Sequence, residues 1–142
     1  MIIPDVNLLV YAYNKCAPKH EESKLWWEAL LNGNRNIGIP WVVSTGFVRI
    51  MTHAKVMSPP MIPLDAFNII EGWFRIPHVN SINPGSRHLS FLKQMLEFAG
   101  VGGNMMTDIH IASIAMEYQA ELHSNDSDFS RFTGLKWINP IA

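Results

Sequence analysis

MIIPDVNLLVYAY, residues 1–13, decides the fold. Its first four residues are apolar, too few for a helix and closed by Pro4, so they read as a short buried strand with Asp5 at its C-terminal end. The following NLLVYAYN has helical spacing, and Asp5 or Asn7 is placed to cap it. A strand that runs straight into a helix is the opening of a βα unit.

The alternation continues along the chain. A helix is expected from His20 to Asn32, with Leu25, Trp26, Ala29 and Leu30 on its apolar face and Gly33 stopping it. Residues 36–39 form a second strand, and Pro40 suits the first turn of a helix reaching about His53. AKVMSPPMIP (54–63) is a loop, because its prolines cannot sustain a helix. Leu64 to Arg75 returns to helical spacing through Phe67, Ile70 and Phe74. His78–Ile82 is a third strand and NPGS (83–86) a turn. A helix from Ser86 to Ala99 carries His88, Leu92, Met95, Leu96 and Ala99 on one face, ended by the glycines at 100, 102 and 103. Thr107–Tyr118 is a helix, Glu121–Ser124 a strand, Asn125–Asp128 a tight turn and Lys136–Ile138 a last short strand. Short apolar strands alternating with helices define an α/β domain around a mostly parallel sheet. One domain over residues 1–142 is expected.

Composition narrows the function classes. The chain is 48% apolar and 16% charged, which excludes disorder. A net charge of −1 with scattered Lys and Arg does not advertise a nucleic-acid binder. Cys16 is the only cysteine, which rules out an intrachain disulfide and a thiolate zinc site and suits a reducing cytoplasm. The N-terminus makes a poor signal peptide, and no stretch has the length of apolar sequence a membrane span requires.

Four aspartates lie beside sequence of the kind that goes inside a protein: Asp5, Asp108 in MMTDIHIASIAMEY (105–118), and Asp126 and Asp128 in ELHSNDSDF (121–129). Burying a carboxylate is costly unless a partner compensates it. Taken singly, each has an ordinary reading: Asp5 and Asp108 as helix caps, Asp126 and Asp128 as the frame of an Asx turn. Taken together they suggest one site. In parallel sheets, ligands bind outside the carboxyl ends of the strands, where Asp5 and Asp126 fall, and a suitable crossover brings Asp108 to the same edge. Clustered carboxylates are tolerated when a divalent cation neutralises them, and an all-oxygen set points to Mg²⁺ or Mn²⁺. Phosphodiester hydrolysis is the chemistry such ions serve.

At these residues the chain resembles a family. DVNLLVYA (5–12), GFVRIMT (46–52), GNMMTDIHIASIA (103–115) and HSNDSDFSRFTGLKWINP (123–140) resemble, in order and over essentially the whole chain, the PIN-domain ribonucleases of the VapC toxin branch of VapBC toxin–antitoxin pairs. The resemblance implies a three-layer α/β/α sandwich and an Mg²⁺- or Mn²⁺-dependent endoribonuclease that hydrolyses RNA. It implies Asp5, Asp108 and Asp126 as metal ligands, Asp128 in support, and water as nucleophile. It also implies a homodimer and a VapB-like antitoxin. One departure stands out: Gly46, in STGFVR, holds the place where many PIN domains carry a Glu, which puts a second metal position in question.

Other polar residues take lesser roles. Asn7 and Asn104 are candidates for supporting the ligands, with a turn also open to Asn104. Arg49 is a candidate for an RNA phosphate contact or, preferred here, for pairing with a carboxylate. His110, two residues from Asp108, is expected to point elsewhere, and Trp26, Trp27, Trp41 and Trp73 to serve the core or an interface. Two rival functions are a PIN-fold binding module without catalysis and a metal-dependent phosphatase or response-regulator-like domain. The second fits worse, because Asp5-Val6-Asn7 lacks the paired Asp of a DxD nucleophile.

Overall fold

The structure, a computed structural model, describes residues 1–99 and 105–142. Five strands, β1 (Ile2–Pro4), β2 (Ile37–Pro40), β3 (Val79–Ile82), β4 (Glu121–His123) and β5 (Lys136–Ile138), form one sheet in the order β3-β2-β1-β4-β5. Every pairing is parallel, so the expected mostly parallel sheet is wholly so among the described residues. Six helices join the strands: α1 (Val6–Tyr13), α2 (His20–Leu31), α3 (Trp41–Met51), α4 (Pro63–Phe74), α5 (His88–Ala99) and α6 (Met106–Tyr118).

Strand order assigns the helices to faces. The chain steps from β1 to β2 to β3 in one direction, then returns past β1 to lay down β4 and β5 in the other. Parallel crossovers are right-handed, so α1–α4 cover one face and α5–α6 the opposite one. The packing agrees: α1 rests on α2 and α3, α3 on α4, and α5 on α6. The result is the α/β/α sandwich. Strands covered on both faces must be apolar throughout, and Ile2, Ile3, Ile37 and Ile39 are all fully buried. In β2, Gly38 has no room for a side chain, since a Cβ would meet Met1 Sδ at 2.7 Å and Ile82 Cδ1 at 2.9 Å.

Between the sheet and α1–α4 lies an aromatic core. Phe47 and Trp73 have ring centroids 5.0 Å apart, Trp27 and Trp73 5.4 Å, and Tyr13 and Phe47 5.6 Å. Trp73 Nε1 donates to the Tyr13 hydroxyl at 2.8 Å, which keeps that buried donor paired. Each such side chain contributes about 1.5–3 kcal/mol through burial. On the other face α6 is buried almost all round. Ile109, Ile111, Ala112, Ser113, Ile114 and Ala115 are all buried, because the helix is wedged between the sheet and α5.

Three expectations change. In α2 the fully buried residues are Ser23 and Trp27, with the expected Trp26 and Leu30 half-buried against the core beside Leu31, whereas Leu25 is 66% exposed and Ala29 is exposed, because they lie on the outer side of this helix. Leu96 of α5 is likewise exposed and Met95 buried. Pro40 is not in the first turn of α3; with ψ 149° it ends β2 opposite Ile82 and precedes the helix. The glycines expected to end α5 lie outside the described residues. Among the described residues, no helix is long and apolar enough to cross a membrane.

Candidate metal centre

The sheet reverses its direction of growth between β1 and β4, so the carboxyl ends of these neighbouring strands frame a crevice. Asp5 follows β1 and Ser124, Asn125 and Asp126 follow β4. Asp5 caps α1: its Oδ1 accepts the Val6 N–H at 2.8 Å. Its Oδ2 accepts the Ser124 hydroxyl at 2.7 Å, and its own N–H donates to the His123 carbonyl at 2.8 Å. The ordinary reading of Asp5 as a cap is therefore correct.

Ser124 is the residue that sequence reasoning missed. It is fully buried, and while it donates to Asp5 its oxygen accepts the Asp126 N–H at 3.0 Å. One hydroxyl thus ties the end of β1 to the turn after β4. The local signal was available, since a Ser two residues before an Asp in HSND is the pattern of a side-chain-to-backbone turn.

After Ser124 the chain turns at Asp126, whose Oδ1 accepts the Asp128 N–H at 2.9 Å and starts a 3₁₀ helix, Ser127–Arg131. This Asx turn brings Asp128 back beside Asp126. Asp108 enters from the first turn of α6, where Met105 holds the cap position without a side-chain hydrogen bond. Among the described residues Asp108 makes no hydrogen bond, so it is not spending its charge on a cap. Carboxylate oxygens of Asp108, Asp126 and Asp128 all lie within 4.8 Å of one another. Asp5 is not one of these three, but its charge is felt at Asp108, and the Asp126 charge is felt at Asp5.

The electrostatics follow from this crowding. Burial, together with the charges of Asp126, Asp5 and Asp128, pushes the Asp108 carboxyl up from 3.8 to about 6, opposed only by Arg131. Asp5 is also raised, mainly by burial, against the pull of its Ser124 and Val6 hydrogen bonds. Arg131 lies 3.5 Å from Asp128 in an exposed pair and leaves most of the negative charge uncompensated. Three converging oxygen ligands, a fourth carboxylate behind them and no matching cation fit a hard divalent ion.

The remaining candidates are placed as follows. Asn7, in the first turn of α1, has a buried Oδ1 without a hydrogen-bond partner among the described residues. Arg49 is exposed and, among the described residues, forms no ion pair, so the preferred pairing with a carboxylate is not made. It lines a cleft between α3 and α6 instead. Asn104 lies outside the described residues. His110 turns to α5, its Nδ1 2.9 Å from Nε2 of His88, which is a packing role. Trp27 and Trp73 are core residues, Trp26 is half-buried and donates to Nδ1 of His123 at 3.0 Å, and Trp41 is 51% exposed.

No family model matches the chain. Individual relatives do. Ribonuclease VapC33 of Mycobacterium tuberculosis is 39% identical over 141 residues, covering 99% of each chain. Ribonuclease VapC37 of the same species is 36% identical over 142 residues, covering all of this chain and 99% of the relative. Among solved structures, VapBC2 from Rickettsia felis, bound to a DNA fragment from its promoter, matches with a TM-score of 0.68 at 23% identity over 98% of each chain. VapC20 of M. tuberculosis, a sarcin–ricin loop cleaving toxin, matches at 0.66 and 12% identity over 96% of this chain and 98% of that one. These structures support the fold; full-length identity of 36–39% with the two ribonucleases supports more. The chain belongs to the VapC ribonuclease family.

Proposed function

We propose that this protein is a single-domain, metal-dependent endoribonuclease that hydrolyses RNA phosphodiesters as the toxin of a toxin–antitoxin pair. The observation that carries this reading is the convergence of Asp108, Asp126 and Asp128 at the switch point of the sheet, with Asp108 pushed up to about 6. Mg²⁺ or Mn²⁺ is the ion such an oxygen set prefers. Bound there, it supplies Lewis acidity toward a phosphoryl oxygen and activation of water. Asp126 and Asp108 would hold it, with Asp128 completing the set and Asp5 adding negative charge. Ser124 fixes Asp5 and the Asp126 backbone relative to each other, so the carboxylates are aligned before an ion arrives. Asn7 offers a buried oxygen in the first turn of α1 that has no partner among the described residues. The protein acts in the cytoplasm as a homodimer restrained by a VapB-like antitoxin.

Cleavage of RNA by protein purified free of antitoxin tests this reading. Activity that disappears with EDTA, returns with Mn²⁺ or Mg²⁺, and is lost in Asp126→Asn supports it; activity indifferent to EDTA refutes it. A second reading has its own observation. Gly46 lines the adjacent cleft without a carboxylate, as suits a non-catalytic binding module. That reading predicts no calorimetric Mn²⁺ binding, whereas the nuclease reading requires it.

A further inference from the structure

Beside the carboxylates lies a second feature with no assigned role. A cleft of ≈ 390 Å³ opens between α3 and α6, lined by Val6, Thr45, Gly46, Arg49, Thr107 and Ile111, with Val42 at its edge. Its two walls are chain neighbours of the acidic site: Val6 follows Asp5 and Thr107 precedes Asp108. Its volume falls in the range of about 300–1,000 Å³ typical of small-ligand sites.

Gly46 forms the floor, and packing does not require it. Among the described residues a Cβ there would meet only Val6, at 3.4 Å from Cγ2, an ordinary contact. Glycine in the middle of a helix is otherwise a disadvantage. What the missing side chain does is keep the cleft open. Arg49, one turn along α3, places a guanidinium at the same cleft, exposed and without an ion pair among the described residues. Thr107 adds a hydroxyl, Thr45 an oxygen that can accept while its own proton is given to the Trp41 carbonyl at 2.8 Å, and Val6 and Ile111 apolar surface.

The geometry points to this cleft as the seat of the nucleotide flanking the scissile phosphate, with Arg49 holding that nucleotide's phosphate and Gly46 providing the space for it. The chemistry is complementary: a cation for the backbone, apolar walls for a base or ribose face, and hydroxyls for ribose or base edges. It stands next to an acidic centre that repels RNA unless a metal is bound, so a cation at the rim is where the strand gains its hold. The inference rests on the nuclease reading and makes Arg49 and Gly46 positioning residues.

The test is binding of a fluorescein-labelled single-stranded RNA of mixed sequence to the metal-free protein, followed by anisotropy between about 50 and 200 mM salt. Arg49→Ala is expected to weaken binding about tenfold. It should also flatten the plot of log K against log salt by about 0.7, the loss of one phosphate contact on a single strand. Arg49→Lys should retain the slope. Gly46→Ala should fold and bind nearly as the parent, whereas Gly46→Leu should raise KM several-fold in metal-supplemented cleavage with kcat little changed. Parental affinity and slope in Arg49→Ala overturn the inference, as does an Arg49→Ala protein that keeps RNA binding but loses the antitoxin. Because Arg49 is exposed, that arm stands even if Gly46→Leu does not fold. Metal-dependent cleavage by the parent reports on the nuclease reading separately, so the two can fail independently.

Discussion

Replacing Asp108 by Asn should make the metal-free protein more stable, not less. Asp108 is half-buried, makes no hydrogen bond among the described residues and faces three other carboxylates. Raising its carboxyl from 3.8 to about 6 corresponds to about 3 kcal/mol of penalty once it is ionised. Solvent screening at a half-exposed group reduces this to about 1–2 kcal/mol. The sign follows from proton binding. Between 3.8 and about 6 the folded state holds more protons than the unfolded chain, so stability falls as pH rises through that window. The penalty is complete above it and absent below about pH 4. At pH 7.5 in EDTA, Asp108→Asn should therefore melt about 3–8 °C above the parent, at about 3–4 °C per kcal/mol for a chain this size. The difference should vanish by about pH 3.5. A divalent ion at about a hundred times its dissociation constant should add about 2.7 kcal/mol to the parent and much less to the variant, reversing the order. Calorimetric or fluorescence melting at two pH values, with and without Mn²⁺, measures all of this. A variant less stable than the parent at pH 7.5 without metal, or a difference that survives at pH 3.5, would refute the electrostatic reasoning.

Ser124→Ala leaves a buried Asp5 oxygen and the Asp126 N–H without their partner, and should cost about 1–3 kcal/mol in urea unfolding. The same change should weaken Mn²⁺ binding about 10- to 100-fold by calorimetry. Phe47→Ala empties the middle of the aromatic core and should cost about 3–5 kcal/mol, read from the denaturation midpoint. Leu25→Glu, on the exposed side of α2, should change stability by no more than about 0.5 kcal/mol. His123 accepts from Trp26 at Nδ1 and faces Glu121 at Nε2, and burial holds its pKa below the usual 6.5. It should stay neutral while an exposed histidine titrates, and its contribution to stability should decline only as pH drops below about 6.5, as its ring signals in NMR would report.

The alternation of strands and helices was readable because each element carries its own signal, from the apolar run before Asp5 to the helical spacing after Thr107. What the pattern could not supply was orientation. Leu25 and Leu96 fit an apolar face on paper, yet α2 and α5 are outer helices whose buried side is chosen by their neighbours. The acidic set was legible as a set, but its internal geometry was not. Asp128 joins Asp108 and Asp126 because an Asx turn folds it back, and Asp5 is partly occupied by α1 and Ser124. Ser124 was overlooked for the same reason that it matters: its partner is 119 residues away.

That separation has a consequence for synthesis. Asp5 is synthesised 119 residues before Ser124, and β4 must slot in beside β1 before their hydrogen bond forms. By Trp73 a growing chain has made every residue of its aromatic cluster, yet it has no assembled carboxylate centre. The carboxylate cluster thus assembles only after β4 and the turn behind it have been made. A chain terminated before residue 121 should be unable to cut RNA even with Mn²⁺ in excess, and cleavage by such a fragment would show that the centre does not need the strand that completes it.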